Sequence, residues 1–285
     1  MGLCHCQSII SHKLDSRHKR DVRRKTQSCW SSTALLLFAL PVLHGQSLNP
    51  VPGFLQDVAG QLPLPSNFSL EEQIQIGNQG NSTNGNPYAY GHALQFRPWF
   101  HYDGIPNISL TASVSYISYF TVPGTSYYRH PEWRDTLMGT LKQPSPGGSL
   151  YEQVRGELLN FRDSHGAVQH LPRVRFRFGQ NIYLGEGGSR VNKPYLGLYQ
   201  EAILQFPQPS YSHVTFTSAR FFAGGGFELG SRTEVLLGFR AEGEVSSSGS
   251  TVTLFFGPAF SIEYNFRRHH PIHENHQRTT AFKDF

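Results

Sequence analysis

Large apolar residues alternate with small or polar ones through 251–266 (TVTLFFGPAFSIEYNF). Val252, Leu254, Phe256, Phe260, Ile262, Tyr264 and Phe266 share one face, and Thr251, Thr253, Gly257, Ala259, Ser261, Glu263 and Asn265 the other, with Phe255 the one large apolar exception. Period-two alternation sends successive side chains to opposite faces of an extended strand. Sixteen residues of it outlast most strands of water-soluble proteins and fit a tilted strand that crosses a bilayer with its apolar face to lipid.

Nine further stretches carry the same period in full or in part: 68–78, 88–102, 106–120, 131–142, 150–162, 170–184, 194–206, 215–228 and 232–244. Together they predict an all-β chain, a membrane-spanning antiparallel up-and-down β-barrel of about ten strands, within a range of roughly eight to twelve. The connections at 103–105 and 229–231 are short and glycine-centred, whereas 79–87, 121–130, 163–169, 207–214 and 245–250 are longer or more polar. Residues 47–67 (SLNPVPGFLQDVAGQLPLPSN) have no convincing period and read as a periplasmic lead-in. That assignment puts the short turns on the periplasmic side and the longer loops outside, the usual asymmetry of such barrels, with 185–192 a fairly long inner exception.

Alternation also sorts the charges. In 170–184, Arg173, Arg175, Arg177 and Asn181 oppose Val174, Phe176, Phe178 and Ile182. An arginine facing lipid at mid-bilayer costs about 2 to 4 kcal/mol, so these three face the lumen. The same rule turns inward Arg97, Tyr199 with Glu201, Arg220, Glu228, Glu234, Arg240, Glu242 and Glu263; Arg155 and Glu157 join them from a strand of mixed faces. Seven arginines meeting six carboxylates inside so narrow a barrel would pair with one another. Such a network either plugs the lumen or lines a selective path for a small anion or polar solute. Outward-facing Tyr88, Tyr90, Phe96, Phe100, Tyr116, Phe120, Tyr264 and Phe266 fit the aromatic girdles of membrane interfaces.

Charge changes meaning once the N-terminus is set apart. Residues 1–29 hold seven Lys or Arg against Asp15 and Asp21, and the apolar run 33–43 (TALLLFALPVL) follows. Eleven residues are too few to cross about 30 Å of hydrocarbon as a helix, so 1–46 reads as a secretory signal peptide. The remaining chain has 18 basic and 18 acidic residues, with 15 Arg and 3 Lys among the basic ones. Its formal charge is zero, which removes the main support for nucleic-acid binding. Cys4, Cys6 and Cys29 all lie in the leader, so no disulfide framework or thiolate metal site is expected.

The order of several segments adds a resemblance. Trp133-Arg134, then 151–162 (YEQVRGELLNFR), 170–184 (HLPRVRFRFGQNIYL), 195–206 (YLGLYQEAILQF), 220–229 (RFFAGGGFEL) and the closing strand are ordered as in the bacterial outer-membrane barrels grouped as domain-of-unknown-function family 2490, which the chain resembles over roughly 68–266. The resemblance implies the barrel fold and the outer membrane; it supplies no activity, catalytic residue or cofactor. Ending on Tyr264, one residue and Phe266 is similar to the C-terminal signal read by the barrel assembly machinery. Expected partners are that machinery, periplasmic chaperones, and outer-membrane lipid with lipopolysaccharide. The tail 267–285, with His269, His270, His273 and His276, reads as a solvated, disordered segment rather than a metal site.

A different class of function has one foothold. A turn at 103–105 would place His92 opposite Tyr116 and diagonal to Ser118 on the outer face, similar to the Ser-His arrangement of lipid A deacylase barrels. The leading expectation is a structural barrel or narrow, porin-like channel with a charge-plugged lumen; a membrane-embedded lipid hydrolase is the alternative.

Overall fold

The structure is a computed structural model, and it describes residues 47–80, 91–120, 130–145, 147–163, 165–184, 193–206, 214–229, 232–245 and 251–266. The leader 1–46, the tail 267–285, Tyr88, Tyr90 and the side chain of His92 lie outside the described residues. Among the described residues there is no helix.

Among the described residues eleven strands form, in chain order: β1 Ser47–Pro63, β2 Phe68–Gln79, β3 Gly91–Ile105, β4 Ile108–Phe120, β5 Glu132–Ser145, β6 Gly148–Arg162, β7 Val168–Tyr183, β8 Pro194–Gln205, β9 Thr215–Leu229, β10 Thr233–Val245 and β11 Thr251–Asn265. Each pairs antiparallel with its neighbours in sequence, and β1 closes the barrel by pairing parallel with β11. An odd number of alternating strands forces that parallel seam, because the first and last then run the same way. Ten of the strands match the ten alternating stretches closely.

The eleventh corrects the reading of 47–67 as a lead-in: Ser47–Pro63 is a full strand, in register with β11 from Ser47↔Thr251 to Gln61↔Asn265. The seam is stitched by side chains as well as backbone. Ser47 Oγ donates to Thr251 Oγ1 at 3.1 Å, Ser261 Oγ to Asp57 Oδ2 at 3.3 Å and Asn265 Nδ2 to Gln61 Oε1 at 3.2 Å. Its register lapses at Gly53 and Phe54, where a Cβ on Gly257 would lie 1.7 Å from the Gly53 carbonyl oxygen. The two backbones approach there as only glycine permits.

Two kinds of connection separate the ends of the barrel. At the turn end, Ser66 and Asn67 take φ of 60° and 66° between β1 and β2, Asn107 takes 61° between β3 and β4, and Gly147 takes 74° between β5 and β6; tight hairpins require such left-handed residues. The β3–β4 turn therefore falls at 106–107, not at 103–105, and the register becomes His92↔Phe120, Leu94↔Ser118 and Phe96↔Tyr116. Gly104 stays inside β3 beside a bulge and receives the Tyr102 ring. The other end is the loop end, where the connections begin after β2, β4, β6, β8 and β10 and where Ser47 begins β1.

Burial is distributed inside out. Leu137 is 71% exposed and Leu237 60%, and Val58, Val154, Trp133, Phe96, Phe221 and Phe239 also stand outward, whereas Asp57, Glu71, Arg97, Glu132, Glu157 and Arg175 are buried in the interior. Phe100, Phe120 and Phe266 of the expected girdles are exposed on the outer wall, and Tyr116 and Tyr264 are half-buried.

Candidate functional site in the barrel lumen

The lumen is built in levels, each fixed by strand register. Nearest the loop end is a belt of ion pairs. Arg177 on β7, Glu201 on β8, Arg220 on β9 and Glu242 on β10 are direct cross-strand partners, so one row alternates in sign over four strands. Arg177 Nη2 lies 2.6 Å from Glu201 Oε2, Arg220 Nη1 3.3 Å from Glu201 Oε1 and Arg220 Nε 2.7 Å from Glu242 Oε1. Arg240 also contacts Glu242.

The belt continues through β6 into β5. Arg155 and Arg175 face each other directly, a like-charge pair made tolerable by the carboxylates beside it. Glu157 takes Arg175 Nε at 2.9 Å and Arg155 Nη1 at 3.5 Å, contacts Arg173, and has Arg134 Nη1 at 4.0 Å. Glu201 Oε1 reaches Arg175 Nη1 at 3.3 Å, and Arg134 Nη2 lies 2.5 Å from Glu132 Oε1. Every adjacent acid and base in this chain is bridged, the arrangement that makes buried charge tolerable.

Below the belt, Trp99 ties two walls together. It is fully buried, with the Arg97 guanidinium carbon 5.2 Å and the Arg155 guanidinium carbon 5.5 Å from its ring centroid. Arg155 stands on β6, three strands away from β3, so this contact crosses the lumen. Gln73 Oε1 accepts from Trp99 Nε1 at 2.9 Å and from Arg97 Nη1 at 3.2 Å, and Gln73 Nε2 donates to Asp57 Oδ2 at 2.8 Å. Asp57 in turn accepts from Ser261 on β11, which joins this level to the seam.

An apolar level packs beside and below. Leu55, Tyr151, Tyr195, Tyr199, Phe222, Leu236 and Ala259 form one buried cluster, with Tyr199 and Phe222 stacked at 5.3 Å and the Arg177 guanidinium 4.4 Å from the Tyr199 centroid. Glycines accept the rings: a Cβ on Gly179 would lie 2.1 Å from Tyr151, one on Gly226 1.9 Å from Tyr195, and one on Gly238 2.4 Å from Phe222. At the turn end, Glu228, Glu234 and Glu263 occupy one cross-strand row, and Tyr195 Oη donates to Glu234. His101 Nε2 lies 3.3 Å from Glu71 Oε2 at the same end.

All thirteen charged residues expected in the lumen point inward: Arg97, Arg155, Glu157, Arg175, Arg177, Glu201, Glu228, Glu234, Glu242 and Glu263 are buried, and Arg173, Arg220 and Arg240 are partly so. Alternation missed Asp57, Glu71, Glu132 and Arg134. Arg134 and Glu132 were obscured by Asp135, which stands on the outer face of β5 and breaks its polarity pattern. The inward rings of Trp99, Tyr151, Tyr195 and Phe222 carry no polarity signal, but the glycines opposite Tyr151 and Tyr195 mark where a ring must lie. On the outer wall, the register sets Ser118 beside Leu94 and diagonal to His92.

No protein-family model matches the chain, and a search of the curated proteins finds no match. The functional reading therefore rests on the barrel itself.

Proposed function

We propose that this chain is a bacterial outer-membrane β-barrel, a member of the family 2490 barrels by the order of its motifs, whose lumen is closed by its own charges and rings. The single observation that carries the reading is the inverted burial: bulky apolar side chains cover the outer wall while arginines and glutamates fill the interior. In water such a wall would be a continuous aggregation surface; in a bilayer it is the solvated face. Strands of 12 to 17 residues exceed the roughly 9–11 that a tilted transmembrane strand needs. The signal-like leader and the Tyr264, Phe266 ending support export and assembly by the outer-membrane machinery, with outer-membrane lipid and lipopolysaccharide as surroundings.

Within that setting the role is that of a structural barrel or narrow channel with a charge-plugged lumen rather than an open pore. Buried Trp99, clamped by guanidiniums from β3 and β6, stands where an open channel would need water. The direct test is fractionation and electrophoresis. The protein should partition with outer membranes, and unheated samples should migrate faster in dodecyl sulfate gels than boiled ones. Recovery as a monomer in detergent-free buffer would overturn the reading.

A further inference from the structure

We propose that the loop-end half of the lumen is a blind cup that binds a small, multiply charged oxyanion of the phosphate class, taken from solution. The ion pairs running from β5 to β10 form one connected set of seven arginines and four glutamates. The surplus is three positive charges, or two when Glu244, on the same face as Glu242, is counted. Asp57 and Arg97 on the opposite wall offset each other. The other inward carboxylates, Glu71, Glu228, Glu234 and Glu263, all lie within four residues of the turn end.

The connections add little negative charge by composition. The connections at the loop end, 80–90, 121–131, 163–167, 206–214 and 246–250, contain a single carboxylate, Asp163. It is engaged by its own loop, accepting from His165 N and Ala167 N at 2.9 Å each and from Gln169 Nε2 at 2.8 Å. Guanidiniums stay protonated, so a local excess of arginine over glutamate inside a barrel is costly, and a bound anion lowers that cost.

Exposure shows how the anion enters and where it stops. The side chains of Arg240 and Arg173 are 20% and 15% exposed, against 2% for Arg175 and Arg177 deeper in. Solvent thus reaches the upper arginines and not the lower ones, whose floor is Trp99 and the tyrosine cluster. Planar guanidinium forks suit a tetrahedral oxyanion better than chloride. The arginines that solvent reaches face the lumen and not the outer wall, so the ligand is a solute rather than a lipid headgroup. The inference rests on lumen geometry alone and stands apart from the membrane assignment.

Trp99 is a built-in reporter, since Arg155 joins its ring to Glu157 in the belt. Full-length protein carrying Trp30→Phe and Trp133→Phe retains Trp99 as its sole tryptophan. Titration with sodium phosphate at constant ionic strength, with sodium chloride as the second arm, should give a saturable change in Trp99 emission and a matching calorimetric isotherm for phosphate only. Combining Arg173→Ala with Arg240→Ala should raise the phosphate Kd about tenfold or more, and the paired lysine variants should raise it less. Flat titrations by both methods, equal responses to phosphate and chloride, or an unchanged Kd in a folded alanine variant overturn the proposal. If that variant does not fold, the phosphate and chloride arms on the parent protein decide alone.

Discussion

Glu157 carries more of the lumen's electrostatics than any neighbour, because four arginines on three strands converge on one carboxylate. Glu157→Gln keeps the shape and removes the charge, leaving those guanidiniums to repel one another where water does not screen them. The expected loss is about 3 to 5 kcal/mol, read as a lower urea midpoint for the barrel in detergent micelles. Glu152→Gln, on the outer face of β6, is the control and should change stability by about 0.5 kcal/mol or less. Packing at single residues is as demanding as charge. A side chain at Gly226 has no room, since a Cβ there would meet the Tyr195 ring at 1.9 Å. Gly226→Val should therefore destabilise the barrel by about 1 to 3 kcal/mol, and adding Tyr195→Ala should return part of that loss. A double variant no better than the single one would show that the ring and the glycine are not coupled.

Strand β1 decides whether the barrel has eleven strands or ten, and its parallel seam gives a direct test. With Cys4, Cys6 and Cys29 changed to Ser, Ser47→Cys with Thr251→Cys should form a disulfide on mild oxidation, because the two hydroxyls already stand 3.1 Å apart. A free-thiol result would mean that residues 47–63 do not close the barrel. The hairpin between β6 and β7 offers a test of a different kind. Hydrogen bonds from Gln169 first, and from the amides of Ala167 and His165, hold the Asp163 carboxyl below its usual value of 3.8. A depressed folded value means that the loop gains from the charged form above the unfolded value and loses it as pH falls through the folded one. The loop should resist proteolysis unchanged from neutral pH down to about the usual aspartate value and loosen only below it, while Asp163→Ala should be cleaved at every pH. The strands themselves were largely legible, since ten of them alternate small or polar lumen residues with apolar outer ones. Strand β1 was not, because its inward Val51, Leu55 and Ala59 are apolar while outward Gln56 is polar and Gly60 has no side chain; Leu55 packs into the ring cluster, and polarity inverts where the lumen is apolar. The four-strand charge row is not legible in the sequence for a related reason: alternation fixes faces, whereas only register sets Arg177, Glu201, Arg220 and Glu242 side by side.

Taken as a whole molecule, the barrel combines an apolar outer wall with an interior filled by charged and aromatic side chains around buried Trp99. The two properties make separate predictions in a planar bilayer. If the outer wall is lipid-facing, the purified protein should insert; if the lumen is closed, insertion should be electrically silent or give currents far below those of an open barrel. Opening the plug should change the second result without touching the first. Trp99→Ala with Arg155→Ala removes a contact that spans β3 and β6 across the lumen, and takes out the ring that both the Arg97 and Arg155 guanidiniums approach. The variant should conduct in discrete steps. Its selectivity should favour anions, because the belt above the opening keeps Arg173, Arg175, Arg177, Arg220 and Arg240 against Glu157, Glu201 and Glu242. Large steady currents from the parent protein would mean that the rings and ion pairs line a pore rather than fill it. Cation selectivity in the variant would instead place the controlling charges at the turn end, where Glu228, Glu234 and Glu263 form their row.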